Sequence, residues 1–265
     1  ARYVLMSTSE HEVTPVAPTS LIDRWIVSRT QRMIASVSHH INGYRLDLAS
    51  QELYEFIWNE YCGWYLELTK PVLQKGDAEA QNATRYTLLH VLETSLKVLH
   101  PIMPFITEEI WHQLGDVLGV EANTIMLQSF PEARKDNVDK EAEKQISWVK
   151  DVVSGTRNIR GEMDISYARQ IPVLFANTRE QDRQILSANQ RLLTFLIKAE
   201  SLTALETDAE VPVAATHLVG DMQVLVPMSG LIDKDAELAR LEKEIDRKEK
   251  RSEEHTSELQ SPDHL

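Results

Sequence analysis

The run ELYEFIWNEYCGWYLELTKP, residues 52–71, restricts the fold more than any other stretch of the chain. On a helical wheel Leu53, Tyr54, Phe56, Ile57, Trp58, Tyr61, Trp64, Tyr65 and Leu68 spread over an arc of roughly 200°. A helix this apolar has to be enclosed by neighbours, with Glu52, Glu55 and Asn59 on the remaining arc. Pro71 is expected to end it, because a helix interior does not readily accept a residue without an amide proton. The stretch is therefore expected to be the central, mostly buried helix of an antiparallel helical bundle.

The flanking sequence supplies the cover. Residues 1–18 read as a short helix end followed by a linker with Pro15 and Pro18. Thr19 or Ser20 caps the next helix, whose inner face is Ile22, Trp25, Ile26, Met33, Ile34, Val37 and Ile41, and Asn42-Gly43 closes it. Gly76-Asp77 restarts a helix that runs to about residue 100, with Leu88, Val91, Leu92, Ser95, Leu96 and Leu99 inward. Pro101 and Pro104 break it, and 105–118 is a fourth helix carrying Ile106, Ile110, Trp111 and Leu114. An extended strap at 124–131 closes a bundle that occupies 19–137. A connecting helix over 139–163 then turns Ile146, Val149, Val152, Val153, Thr156 and Ile159 to one side. After it the period changes: strand 171–176, helix 180–198, strand 201–206, and a hairpin over 213–227 turning at Gly220-Asp221. Residues 138–232 are thus a connecting helix and small α+β module. Leu238, Leu241 and Ile245 begin a coiled coil at 233–250. The last segment, 251–265, resembles the conceptual translation of a sequencing adapter and is set aside as a non-native tail. The fold class is mainly α, an antiparallel bundle followed by the α+β module and the start of a coiled coil.

With 265 residues, 42% hydrophobic, the chain can bury a substantial core. The net charge of -13 argues against a protein that coats nucleic acid non-specifically, since such binding draws on neutralised phosphates, but it leaves room for a local basic face. No stretch approaches the roughly 20 apolar residues of a membrane span, so a cytoplasmic protein is expected. Cys62 is the sole cysteine, which excludes a disulfide framework and a thiolate metal site, and it is expected as a small packing residue.

Nine scattered glycines form no phosphate loop, no serine sits in a G-x-S-x-G elbow, and the histidines lack metal-ligand spacing. No catalytic residue and no metal ligand is assigned. The arginines are more informative. Arg24, Arg29 and Arg32 lie on the helix before the central one, and Arg157 and Arg160 form an i, i+3 pair on the connecting helix. Such pairs hold phosphate oxygens with forked donors or stack on an unpaired base. Ion pairing with the chain's own acids is the plainer alternative.

DRWIVSRTQ at 23–31, LYEFIWNEYCGWYLELTKPV at 53–72, SLKVLHPIMPFITEEIW at 95–111, TIMLQSFPE at 124–132, TRNIRGEM at 156–163 and VPMSGLIDKDAELARLEKEI at 226–245 occur in one order. Together they resemble the C-terminal part of the bacterial valyl-tRNA synthetases, class I aminoacyl-tRNA ligases. WYLELTKP followed by HPIMPFITEEIW is shared with isoleucyl and leucyl enzymes. The single cysteine and the coiled-coil start separate this chain from the bacterial isoleucyl type, which ends in a cysteine-rich zinc site. The resemblance implies an anticodon-binding bundle, a connecting module and the root of a coiled-coil arm. It implies tRNA(Val) as partner, a monomer, and a parent that uses ATP and Mg²⁺. Signatures like HIGH and KMSKS and the editing domain have no counterpart here, so this chain is expected to hold no cofactor, to be inactive alone, and to work with the catalytic and editing domains of the same chain. Residues 2–6 match only the tail of the family's first bundle helix. The resemblance carries over no individual base-reading residue. Two other readings are an isoleucyl or leucyl parent, and a free-standing helical adaptor that dimerises through its coiled-coil stub.

Overall fold

A computed structural model describes residues 1–118, 124–206, 209, 211–228, 245 and 248. The described chain is mainly helical with one four-stranded mixed sheet. The coiled-coil start expected at 233–250, apart from residues 245 and 248, and the tail at 251–265 lie outside the described residues. The chain divides into two compact units, Ala1–Val153 with Ala188–Leu196, and Ser154–Ser187 with Ile197–Leu265.

In the first unit a short helix, α1 (Arg2–Thr8), is followed by a non-helical linker. Helix α2 (Leu21–Asn42) starts where Ser20 Oγ accepts the Asp23 amide and stops before Gly43. Its expected inner face is buried from Ile22 to Val37. Helix α5 (Ala78–Leu99) is capped by Asp77, which accepts the Ala80 amide. Helix α6 (Pro104–Leu118) opens on a proline, whose missing amide proton has no partner in a first turn anyway. Within it Trp111 and Leu114 are buried, whereas Ile106, expected inward, is exposed. The strap after α6 begins as a 3₁₀ turn, Ile125–Leu127, before it extends. Helix α7 (Lys140–Glu162) buries all six residues expected on its inner side.

The central rod departs from expectation in an informative way. It is continuous from α3 (Leu46–Tyr54) through a π-helical segment (Glu55–Tyr65) into α4 (Leu66–Lys75). The large side chains it buries are Leu53, Phe56, Tyr61, Tyr65 and Leu68, beside the smaller Ala49 and Thr69. The five-residue step from Phe56 to Tyr61 is one that i→i+5 hydrogen bonding accommodates and a 3.6-residue turn does not. The wider turn leaves Ile57 and Trp64 at the margin, turns Tyr54 and Trp58 to the outside, and exposes Cys62, which was expected to pack. Pro71 does not end the rod but sits inside α4. An interior proline costs about 3 kcal/mol, and each fully buried large apolar side chain returns about 1.5–3 kcal/mol. Tyr65 and Leu68, both fully buried just ahead of the proline, outweigh it.

In the second unit the sheet order is β2-β1-β4-β3. β1 (Ile171–Ala176) and β2 (Ala199–Ala204) are parallel, with Ile171 opposite Ala199. Parallel neighbours need a crossover, and the expected single helix over 180–198 is two, α8 (Glu180–Ala188) and α9 (Gln190–Ile197), parted at Asn189, with nearly all of α9 grouped in the first unit. Asparagine competes for backbone groups with its own side chain and so suits a break. β3 (Ala214–Val219) and β4 (Met222–Pro227) form the expected hairpin, with Val219 opposite Met222. Gly220 takes φ +59°, the value that a two-residue hairpin turn of this type asks of its first residue.

Candidate nucleic-acid interface

What the rod shows to solvent is decided by what it fixes inside. Asp23 is fully buried and accepts three hydroxyl hydrogen bonds, from Tyr65 at 2.5 Å, Ser20 at 2.7 Å and Thr84 at 2.9 Å. These donors come from the rod, from the cap of α2 and from α5, so one carboxylate locks three elements. Burial raises the Asp23 pKa above the usual carboxylate range, and the three hydroxyls offset part of that shift. Tyr61 adds a second lock by donating to the Leu88 carbonyl at 2.8 Å.

With that face fixed, Leu46, Ser50, Tyr54 and Trp58, each four residues on, form an exposed row on the other side. Tyr54 is 59% exposed and Trp58 63%. Their rings stack on each other, with centroids 6.3 Å apart and planes within 10° of parallel. Tyr44, at the α2–α3 turn with φ 56°, is also exposed. An exposed stacked pair presents a flat π surface of the kind that receives an unpaired base, worth about 1–3 kcal/mol per base. The wheel placed Tyr54 and Trp58 in the buried arc because it assumed 3.6 residues per turn throughout. The Phe56 to Tyr61 interval and Gly63 were the available signals. A Cβ on Gly63 would stand 3.1 Å from the Trp58 carbonyl oxygen, five residues back.

The five arginines occupy different environments. On α2, Arg24 lies 3.6 Å from Asp139. Arg29 donates from Nε to both oxygens of Glu60, at 2.8 and 2.9 Å, and Arg32 donates to Glu143 at 2.6 Å. The three therefore tie α2 to the rod and to the start of α7. Burial works to raise the Glu143 pKa, but hydrogen bonds from Arg32 and Ser28, with the charges of Arg32 and Arg29, leave it below the usual range. Lys150 stands over the rings of Trp25 and Trp64, at 4.4 and 5.5 Å, so Trp64 is engaged with a cation of its own fold. In the second unit Arg157 is exposed, whereas Arg160 is 4% exposed. Arg160 donates to the carbonyls of Ser166, Arg169, Ile197 and Lys198 at 2.9–3.3 Å, pinning the end of α7 to the segments around β1 and β2.

Among the described residues no helix is long and apolar enough to cross a membrane, and no three His, Cys, Asp or Glu side chains gather as a metal site. A family model described as the anticodon-binding domain of tRNA ligase matches residues 23–175, more than half of the chain, from the start of α2 into β1.

Proposed function

Because the chain belongs to the anticodon-binding domains of tRNA ligases, we propose that it is the tRNA-gripping C-terminal part of a valine–tRNA ligase. The observation that carries the binding mode is the exposed Tyr54–Trp58 stack, held outward by a rod whose opposite face is locked through Asp23 and Tyr61. An anticodon-loop base, unstacked from its neighbours, lies against this surface while lysine and arginine side chains hold the adjoining phosphates. In the first unit Arg24, the most exposed arginine of the three on α2, is the proposed phosphate contact, and Arg29 and Arg32 contribute once their carboxylate partners yield; in the second unit, taken by itself, exposed Arg157 is a proposed phosphate contact and Arg160 supports the module from within.

The valine assignment is supported by the ordered sequence runs, by the single cysteine and by the heptad spacing of Leu238, Leu241 and Ile245. On this reading the parent acts in the cytoplasm as a monomer and uses ATP with Mg²⁺. On the same reading the chemistry belongs to the catalytic and editing domains of the parent, and this chain grips the tRNA.

The test is a binding series with purified tRNA(Val) and a second tRNA over a range of salt. Preference for tRNA(Val), with Trp58→Ala weakening binding about tenfold at 1–3 kcal/mol per stacked base, is the expected result. Equal affinity for both tRNAs removes the valine assignment and leaves an isoleucyl or leucyl parent as the next reading. An unchanged affinity in Trp58→Ala removes the stacking surface.

A further inference from the structure

In the first unit Tyr3 and Ser7 of α1, His11 of the linker, Lys70, Leu73 and Gln74 of α4 and Arg85 of α5 surround a cavity of about 260 Å³. It lies just under the roughly 300 Å³ at which pockets for drug-sized ligands begin, so it suits a small group. Three of its seven lining residues are basic and none is acidic, in a chain whose net charge is -13. Arg85 Nε donates to the Ser7 carbonyl at 3.1 Å and Nη2 to Gln81 Oε1 at 3.1 Å, which fixes the guanidinium plane and leaves further N–H groups of its fork. Among the described residues neither Arg85 nor His11 pairs with a carboxylate. Lys70 is held by Glu67 at 2.5 Å, one turn back on the same rod.

The walls are built rather than incidental. The linker that carries His11 is fastened downstream by Asn82, which accepts the Thr14 amide at 3.0 Å and donates to the Thr14 carbonyl and hydroxyl at 3.2 and 2.9 Å. Tyr3 and Ser7 lie one helical turn apart on α1 and close the same wall, the Ser7 hydroxyl donating to the Tyr3 carbonyl at 2.8 Å and the Tyr3 hydroxyl pairing with Thr69 at 3.4 Å. A planar guanidinium with N–H groups to spare, lining one cavity with an ammonium, an imidazole and a side-chain amide, is a donor set that recognises a tetrahedral oxyanion.

We propose that this cavity is a binding site for a phosphate group, presented by a nucleic-acid backbone or free in solution. Partial burial holds the Arg85 pKa below the usual guanidinium range, and an entering anion would supply the countercharge that Arg85 lacks. The site does not depend on the valine assignment, and only the tRNA arm of its test rests on the tRNA reading above.

The full chain is titrated with inorganic phosphate at constant ionic strength, following the Arg85 Nε–H and nearby amide resonances. Saturable shifts confined to the cavity residues are expected, weakened at least tenfold in Lys70→Gln and in Arg85→Gln, and unchanged in Lys97→Gln, whose ammonium pairs with Glu93 elsewhere on α5. Because Arg85→Gln also removes a tie to α1, His11→Gln and Lys70→Gln keep the result interpretable if the first variant folds poorly. In the tRNA arm, Lys70→Gln should lower the slope of log K against log salt by about 0.7–0.9, one phosphate contact. That result makes the nucleic-acid backbone the source. An unchanged slope alongside cavity-specific phosphate shifts makes free phosphate the source. Non-saturable shifts, or shifts equal in wild type and Lys70→Gln, overturn the site, whatever the tRNA affinity proves to be.

Discussion

Asp23 ties the rod, the cap of α2 and α5 together through one carboxylate, and its contribution is testable. The Tyr65 hydroxyl is one of three donors to a carboxylate without solvent contact. Tyr65→Phe is expected to cost about 2 kcal/mol of unfolding free energy in a urea titration, because a hydrogen bond to a buried charged group is worth about 1.5–3 kcal/mol. The pH dependence has a definite sign. The folded-state pKa of Asp23 lies above the unfolded value of 3.8, so between the two the native state binds more protons. Its contribution to stability therefore falls as pH rises from about 4 to the folded value, then levels off. Measured against Asp23→Asn over the same pH range, the wild-type margin should be greatest at the acid end, and a margin that grows toward neutrality would mean that the hydroxyls outweigh burial. Glu143 acts in the opposite sense, because its folded value is depressed: its stabilisation is present above the unfolded value and fades as pH falls through the folded one.

Among the elements, α7 offers the sharpest test of packing. A Cβ on Gly155 would lie 2.3 Å from the His217 ring on β3, so the helix approaches the hairpin at a distance only glycine permits. Gly155→Val is expected to cost about 1–3 kcal/mol through overpacking and to lower the thermal midpoint in a circular dichroism melt. An unchanged midpoint would mean that the ring swings aside freely. Most elements were legible from sequence because each carries its own punctuation: Ser20 and Asp77 as caps, Gly43 after α2, Gly220-Asp221 between β3 and β4. The inner face of α7 was legible residue by residue because its apolar spacing is uninterrupted. The rod was not, because periodicity was read with one constant turn and π-helical hydrogen bonding is a tertiary choice that Gly63 and the Phe56 to Tyr61 interval only hint at. The same error hid the Tyr54–Trp58 surface. The arginines were visible as residues, but spacing could not reveal that Glu60 and Glu143, distant in sequence, would meet Arg29 and Arg32.

For the molecule as a whole, a protein of net charge -13 that binds a polyanion has to separate long-range repulsion from short-range capture. At about 0.01 M salt the screening length is about 30 Å and the whole chain repels the approaching RNA, whereas at about 0.15 M it is about 8 Å and the local basic groups dominate. Stopped-flow association with tRNA should accordingly speed up as salt rises across this range, the reverse of a basic nucleic-acid binder, and a falling rate would locate the encounter on a face with its own strong positive field. The rod connects the two proposed contact regions, with Tyr54 at the entry to the π-helical segment, Trp58 within it and Lys70 after it. Since i→i+5 bonding takes up more residues per turn than an α-helix does, removing one position between Trp58 and Tyr61 would turn everything downstream about the rod axis, by about 100° at α-helical pitch. The angular phase between aromatic surface and basic cavity is thus written in chain length across a few positions, where point substitutions leave it intact and a one-residue deletion resets it.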